Sequence, residues 1–108
     1  MAGFAVLGQV VPASINTDIT LYTATAQTVG STLVVCNQSG AEQTFSVRVR
    51  VDAAADNPKQ MILYNAEIAI GESVFFTIGV TLAPGATGDQ VRVQASSTAV
   101  SFNLFGSN

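Results

Sequence analysis

The residues best placed to do chemistry lie in the stretch TFSVRVRV, Thr44 to Val51, where Arg48 and Arg50 stand two apart between valines. They are half of the four basic residues in a 108-residue chain whose formal charge is −3. Arg92, in DQVRVQAS, repeats the pattern on a strand of the same type. Arginine pairs with carboxylate through a planar fork of N–H donors that lysine cannot match. The stripe therefore has two readings: arginines on a solvated strand face that blunt edge-to-edge aggregation, or partners for carboxylates of a neighbouring copy or of a larger surface.

Other chemistry is thin. The sequence has no histidine and one cysteine, which removes Ser/His/Asp and Cys/His nucleophilic arrangements and a thiolate zinc site. Asp18, Glu42, Asp52, Asp56, Glu67, Glu72 and Asp89 mostly fall at turns or strand ends, as solvated charges do. DAAADN lacks the alternating ligands and following glycine of a calcium loop, and APGATG lacks the lysine and helix of a phosphate loop. No catalytic residue, metal site or cofactor is expected. Cys36, inside TLVVCNQ, reads as a buried structural thiol. Asn37 opens a formal N-glycosylation sequon.

Those residues sit on elements with period-two alternation. Phe45, Val47, Val49 and Val51 share one strand face; Val91, Val93 and Ala95 share another. SVFFTIGV places Val74, Phe76, Ile78 and Val80 together but leaves Phe75 opposite, and AVSFNLFG leaves Phe105 opposite Val100, Phe102 and Leu104. These two phenylalanines call for a second partner surface. Turn residues separate the runs, giving strands near 4–10, 19–24, 32–37, 43–51, 60–64, 66–70, 73–81, 89–96 and 99–105. The expected fold is all-β: a two-sheet antiparallel β-sandwich, jelly-roll or Ig-like, with an N-terminal arm or strand.

Residues 1–18 form one segment and 19–108 the sandwich domain. The first segment has no charge before Asp18, and Phe4, Val6, Leu7, Val10 and Val11 break alternation ahead of Pro12. It is either the first strand or an arm that lies on a neighbouring subunit. With no basic residue before its apolar run, no export leader is expected. The composition, 48 % hydrophobic and only 10 % charged, suits permanent association. A pI near 4.4 without a basic run argues against nucleic acid, and no apolar stretch is long enough for a membrane helix.

The order of short motifs resembles a family of small structural proteins of tailed bacteriophages. The elements are VLGQVVPAS (Val6 to Ser14), LYTAT (Leu21 to Thr25), LVVCNQSG (Leu33 to Gly40), TFSVRVR (Thr44 to Arg50), ILYN (Ile62 to Asn65), TIGVTLAPGATGDQVRVQAS (Thr77 to Ser96) and VSFNLFGS (Val100 to Ser107). Where the family often has proline after its LYT motif and after the arginine strand, this chain has Ala24 and Thr25, then Val51 and Asp52. The resemblance implies a virion component without enzymatic activity, similar to capsid cement or decoration proteins. These clamp neighbouring major capsid proteins on the head exterior, commonly as trimers. It implies as partners the major capsid protein and copies of the chain, made in the host cytoplasm, with no nucleic acid, membrane or small-molecule substrate. The candidate interface is Phe4, Val6, Leu7, Val10, Val11, Arg48, Arg50, Phe75, Arg92 and Phe105. The alternative is a tail, neck or fibre component that binds the host surface. Glycan binding usually wants exposed aromatics at loop tips, and the predicted turns contain none.

Overall fold

The computed structural model describes residues 4–108. Eight strands are present among them: β1 (Phe4–Val10), β2 (Ile19–Thr23), β3 (Thr28–Asn37), β4 (Gln43–Arg50), β5 (Met61–Ile68), β6 (Ser73–Leu82), β7 (Gln90–Ala95) and β8 (Val100–Ser107). They build two four-stranded antiparallel sheets, with orders β1-β8-β3-β6 (sheet A) and β2-β7-β4-β5 (sheet B). Successive strands cross repeatedly from one sheet to the other, which gives the eight-stranded jelly roll rather than the seven-stranded Ig-like arrangement.

Alternation explains the core. Val91, Val93 and Ala95 of β7, Phe45 and Val47 of β4, Leu33 and Val35 of β3, and Val100, Phe102 and Leu104 of β8 are all buried between the sheets. Phe45 of sheet B meets Phe102 and Phe76 of sheet A with ring centroids 6.1 and 6.0 Å apart, in tilted or edge-on geometry that favours aromatic pairs. Gly8 lets β1 approach β2 closely, since a Cβ there would sit 2.2 Å from the Leu21 carbonyl oxygen.

Several expectations change. The strands placed at 60–64 and 66–70 are one strand, β5, interrupted by Asn65 at φ 49°, where its pairing with β4 shifts. β3 begins at Thr28, because Gly30 and Ser31 sit at an irregularity inside the strand and do not end it. Val51 is exposed instead of core-facing, since the chain leaves β4 into a 3-10 turn at Val51–Ala53. Cys36 is half-buried rather than buried, and its position opposite Ser73 and Ser101, between buried Val35 and Asn37, places it on the outer side of sheet A. Asn37 is fully buried; its amide donates to the carbonyls of Ala41, Ile68 and Ala69 and its Oδ1 accepts from Ser39, so the sequon asparagine is a structural tie.

Residues 4–10 of the N-terminal segment form β1 and pair with β8 of the same chain. Irregularities mark the pairing of every sheet edge: β1 between Val6 and Gly8, β2 between Thr20 and Tyr22, β5 around Asn65, and β6 where it faces Gly30 and Thr32. By contrast, the central pair β4 and β7 runs from Phe45 to Arg50 without a shift. Bulged edges resist strand addition by another chain.

Asp52, at φ 52°, holds two distant loops together. Its carboxylate accepts from the backbone N–H groups of Thr87 and Gly88 at 2.7 and 3.0 Å and from the Thr87 hydroxyl at 3.0 Å, while its own N–H donates to Asp89. The Thr87 and Gly88 backbone donors, followed by the Thr87 hydroxyl, hold its pKa below the ordinary aspartate value. A depressed carboxylate contributes stability that is present above its unfolded pKa and lost as pH falls through its folded pKa. Asp52→Asn keeps a residue that tolerates positive φ but removes the charge. The variant is expected to melt below the wild type at pH 7, with the gap closing as pH falls below about 4; thermal melts across that range check it.

Candidate functional site

Most of the sequence-expected interface residues divide between the outer faces of the two sheets. On sheet B, Arg48 and Arg50 of β4 and Arg92 of β7 converge on Asp18, the residue just before β2. Arg50 Nη2 donates to Asp18 Oδ2 at 2.6 Å, and Arg92 Nε donates to the same oxygen at 3.2 Å. Arg48 Nε lies 3.8 Å from Asp18 Oδ1, and the Arg48 guanidinium also pairs with Asp56. Arg92 Nη1 is further held by Thr20 Oγ1 at 2.6 Å. All three arginine side chains are less than a fifth exposed, at 12 to 19 %. The stripe thus meets carboxylates of its own chain, a pairing that neither reading of the sequence included.

Sheet A has the opposite character. None of its four strands contains a charged residue. Its outer face carries Phe4 at 86 % exposure, Phe75 at 70 %, Val6 at 51 % and Val29 at 40 %, together with half-buried Val34 and Phe105. The register joins them in rows: Val6 lies opposite Phe105, which lies opposite Thr32, and Val34 lies opposite Phe75. A shallow depression of about 330 Å³, lined by Gln9, Val10, Val11, Ser101, Phe102 and Asn103, borders the same face. Leu7 and Val10 are turned inward and pack on the core, while Val11 is exposed beyond the end of β1.

The structure therefore places Phe4, Val6, Phe75 and Phe105 on one face, with Phe4 and Phe75 on its opposite edge strands, and separates them from Arg48, Arg50 and Arg92 by the thickness of the sandwich. The sequence reading identified Phe75 and Phe105 through broken alternation but missed Val29 and Val34. Val34 follows from alternation with Leu33 and Val35, whereas the outward position of Val29 follows from strand parity only once the irregularity at Gly30 is known. Nor did it single out Tyr64, which is 74 % exposed on β5 and borders a wider depression with Arg48, Asp56, Pro58 and Met61. Among the described residues, no group of three or more His, Cys, Asp or Glu side chains is placed to hold a metal ion. Among the same residues, no helix is long and apolar enough to cross a membrane.

No family model, no curated protein and no solved structure matches the chain.

Removing Asp18 leaves three partly buried guanidinium groups without their shared carboxylate. Asp18→Ala is expected to destabilise the isolated fold by about 3 kcal/mol, the low end for breaking a buried pair from one side because the site retains some solvent. Arg50→Gln should cost roughly 1.5 kcal/mol through loss of a charge-assisted hydrogen bond. Urea unfolding measures both. Unchanged midpoints combined with lost association would instead assign the stripe to an intermolecular contact.

Proposed function

We propose that this chain is a non-enzymatic virion structural protein, a capsid cement or decoration protein of a tailed-bacteriophage head. It associates with copies of itself and with the major capsid protein through the outer face of sheet A, and works on the capsid exterior. The observation that carries this reading is the charge-free, phenylalanine-bearing face of sheet A on a chain whose remaining surface holds all of its ionised side chains. Two molecules of net charge −3 repel wherever their acidic loops approach, and least across a face without charge. The irregular edges direct association toward the faces.

Size supports many contacts over one. Four strands about 4.8 Å apart and about 27 Å long present a flat area on the order of 500 Å². That equals a typical functional patch but falls below the roughly 800 Å² per partner of a standard stable interface. A closed oligomer, such as a trimer, or a shell that repeats the contact would gain by multivalency what one contact lacks. The motif order described above, and a jelly roll of the kind found in viral capsid domains, agree with a virion role, although fold alone does not assign one.

Substituting Phe4 and Phe75 tests the reading, because both are exposed and their loss leaves the core intact. Phe4→Ser with Phe75→Ser should weaken self-association and binding to expanded heads by at least about tenfold, given about 1.5–3 kcal/mol for each phenylalanine that docking would bury fully. The melt should not change. Wild-type association should vary little between low and moderate salt, since exposed charges contribute little to it. Sedimentation of the pure protein and co-sedimentation with particles measure these outcomes, and unchanged binding by the double variant contradicts the docking face. Hundreds of copies per particle fit a cement protein; a few to dozens fit the tail, neck or fibre alternative.

A further inference from the structure

We propose that the depression bounded by Arg48, Asp56, Pro58, Met61 and Tyr64 is a carbohydrate-binding site that takes a neutral pyranose. It lies on the outer side of sheet B, opposite the proposed docking face, so a molecule docked through sheet A would present it to solution. Its volume of about 450 Å³ lies within the usual range for small-molecule sites and exceeds what one sugar ring requires.

The chemistry of the rim selects the ligand. A pyranose has an apolar C–H face and a rim of hydroxyls, each of which both donates and accepts hydrogen bonds. Tyr64 supplies an exposed aromatic surface for the first, beside the apolar side chains of Met61 and Pro58. Asp56 supplies the second: its carboxylate is 63 % exposed, has acceptor sites left over, and lies beside the Arg48 guanidinium, whose side chain is 12 % exposed. An adjacent donor and acceptor match two neighbouring hydroxyls of one ring.

Alternatives fit less well. Asp56 opposes a phosphate or other anion, and Arg48 opposes an amine. An extended peptide would gain most by adding a strand along β5, but β5 is irregular at Asn65 and around Met61 and Leu63. The Arg48 side chain is also mostly buried, with Nε 3.8 Å from Asp18, so little side-chain freedom is lost when a sugar docks. The register sets Met61 directly opposite Arg48, which fixes the floor beside the polar pair. The aromatic that predicted turns lacked is thus supplied by a strand.

NMR titration of the purified protein with glucose, galactose, mannose and N-acetylglucosamine tests the site. The chain has two tyrosines and no tryptophan, so the ring resonances of Tyr64 are readily separated from those of Tyr22. At least one of these sugars should shift the Tyr64 resonances saturably, with a Kd in the millimolar range expected for so small a ligand. Tyr64→Ala should abolish binding, Tyr64→Phe should retain it, and Asp56→Asn should weaken it several-fold. Because Tyr64 is exposed, the Tyr64→Ala melt should match the wild type, and that measurement accompanies the titration. Absence of a saturable shift with all four sugars, or a shift at Tyr22 that persists in Tyr64→Ala, overturns the proposal. Neither result bears on the docking face, which is measured by association.

Discussion

Asp18 faces three guanidinium groups at once, accepting from Arg50 and Arg92 through Oδ2 with Arg48 3.8 Å from Oδ1, and the charge layout of the molecule depends on it. Arg48, Arg50 and Arg92 lie close against a sheet face, where without Asp18 both Arg50 and Arg92 would be partly desolvated with no carboxylate beside them. The carboxylate that answers them ends the 11–18 connection, which carries the chain from β1 in sheet A to β2 in sheet B. One interaction therefore fastens the crossing between layers and gathers three of the chain's four basic residues around a carboxylate of the same chain. With Asp56 added, the cluster of three arginines and two aspartates keeps a net charge of only +1.

This internal pairing changes which surface is available for binding. Arginines already committed to their own chain gain little from a second carboxylate. The face of sheet A is the converse: it lacks charge, and exposed phenylalanine and valine side chains interrupt its serines, threonines and asparagines. Burying such side chains releases water at no cost in stripped ions, which makes this the cheaper surface to dehydrate. Arg48 belongs to both parts of the account, since it is positioned by Asp18 and reaches the rim of the Tyr64 depression.

Much of the fold was legible because period-two alternation is a local signal. It identified the inward residues of β7 and β8 and most of those of β4, and it marked Phe75 and Phe105 as misplaced for a simple solvated face. It failed where backbone conformation changed inside a strand, as at Asn65 with its positive φ and at the irregularity beside Gly30. The arginine partners were beyond reach for a different reason. Asp18 lies 32 residues from Arg50 and 74 from Arg92, and only the jelly-roll strand order brings β2, β7 and β4 side by side. The absence of charge from β1, β3, β6 and β8 is written in the sequence, yet it has no meaning until topology shows that those strands form one sheet.

Cys36 offers the most direct measurement of the central claim that the outer face of sheet A is the docking face. It is the chain's only cysteine, half-buried on that face opposite Ser73 and Ser101. Its rate of alkylation by a small maleimide can be compared between the dilute, dissociated protein and the assembled protein, on particles or as the oligomer. The thiol is expected to react in the free protein and to be protected at least several-fold in the assembled form. Equal rates in the two states would leave the face uncovered in the assembly and contradict the account.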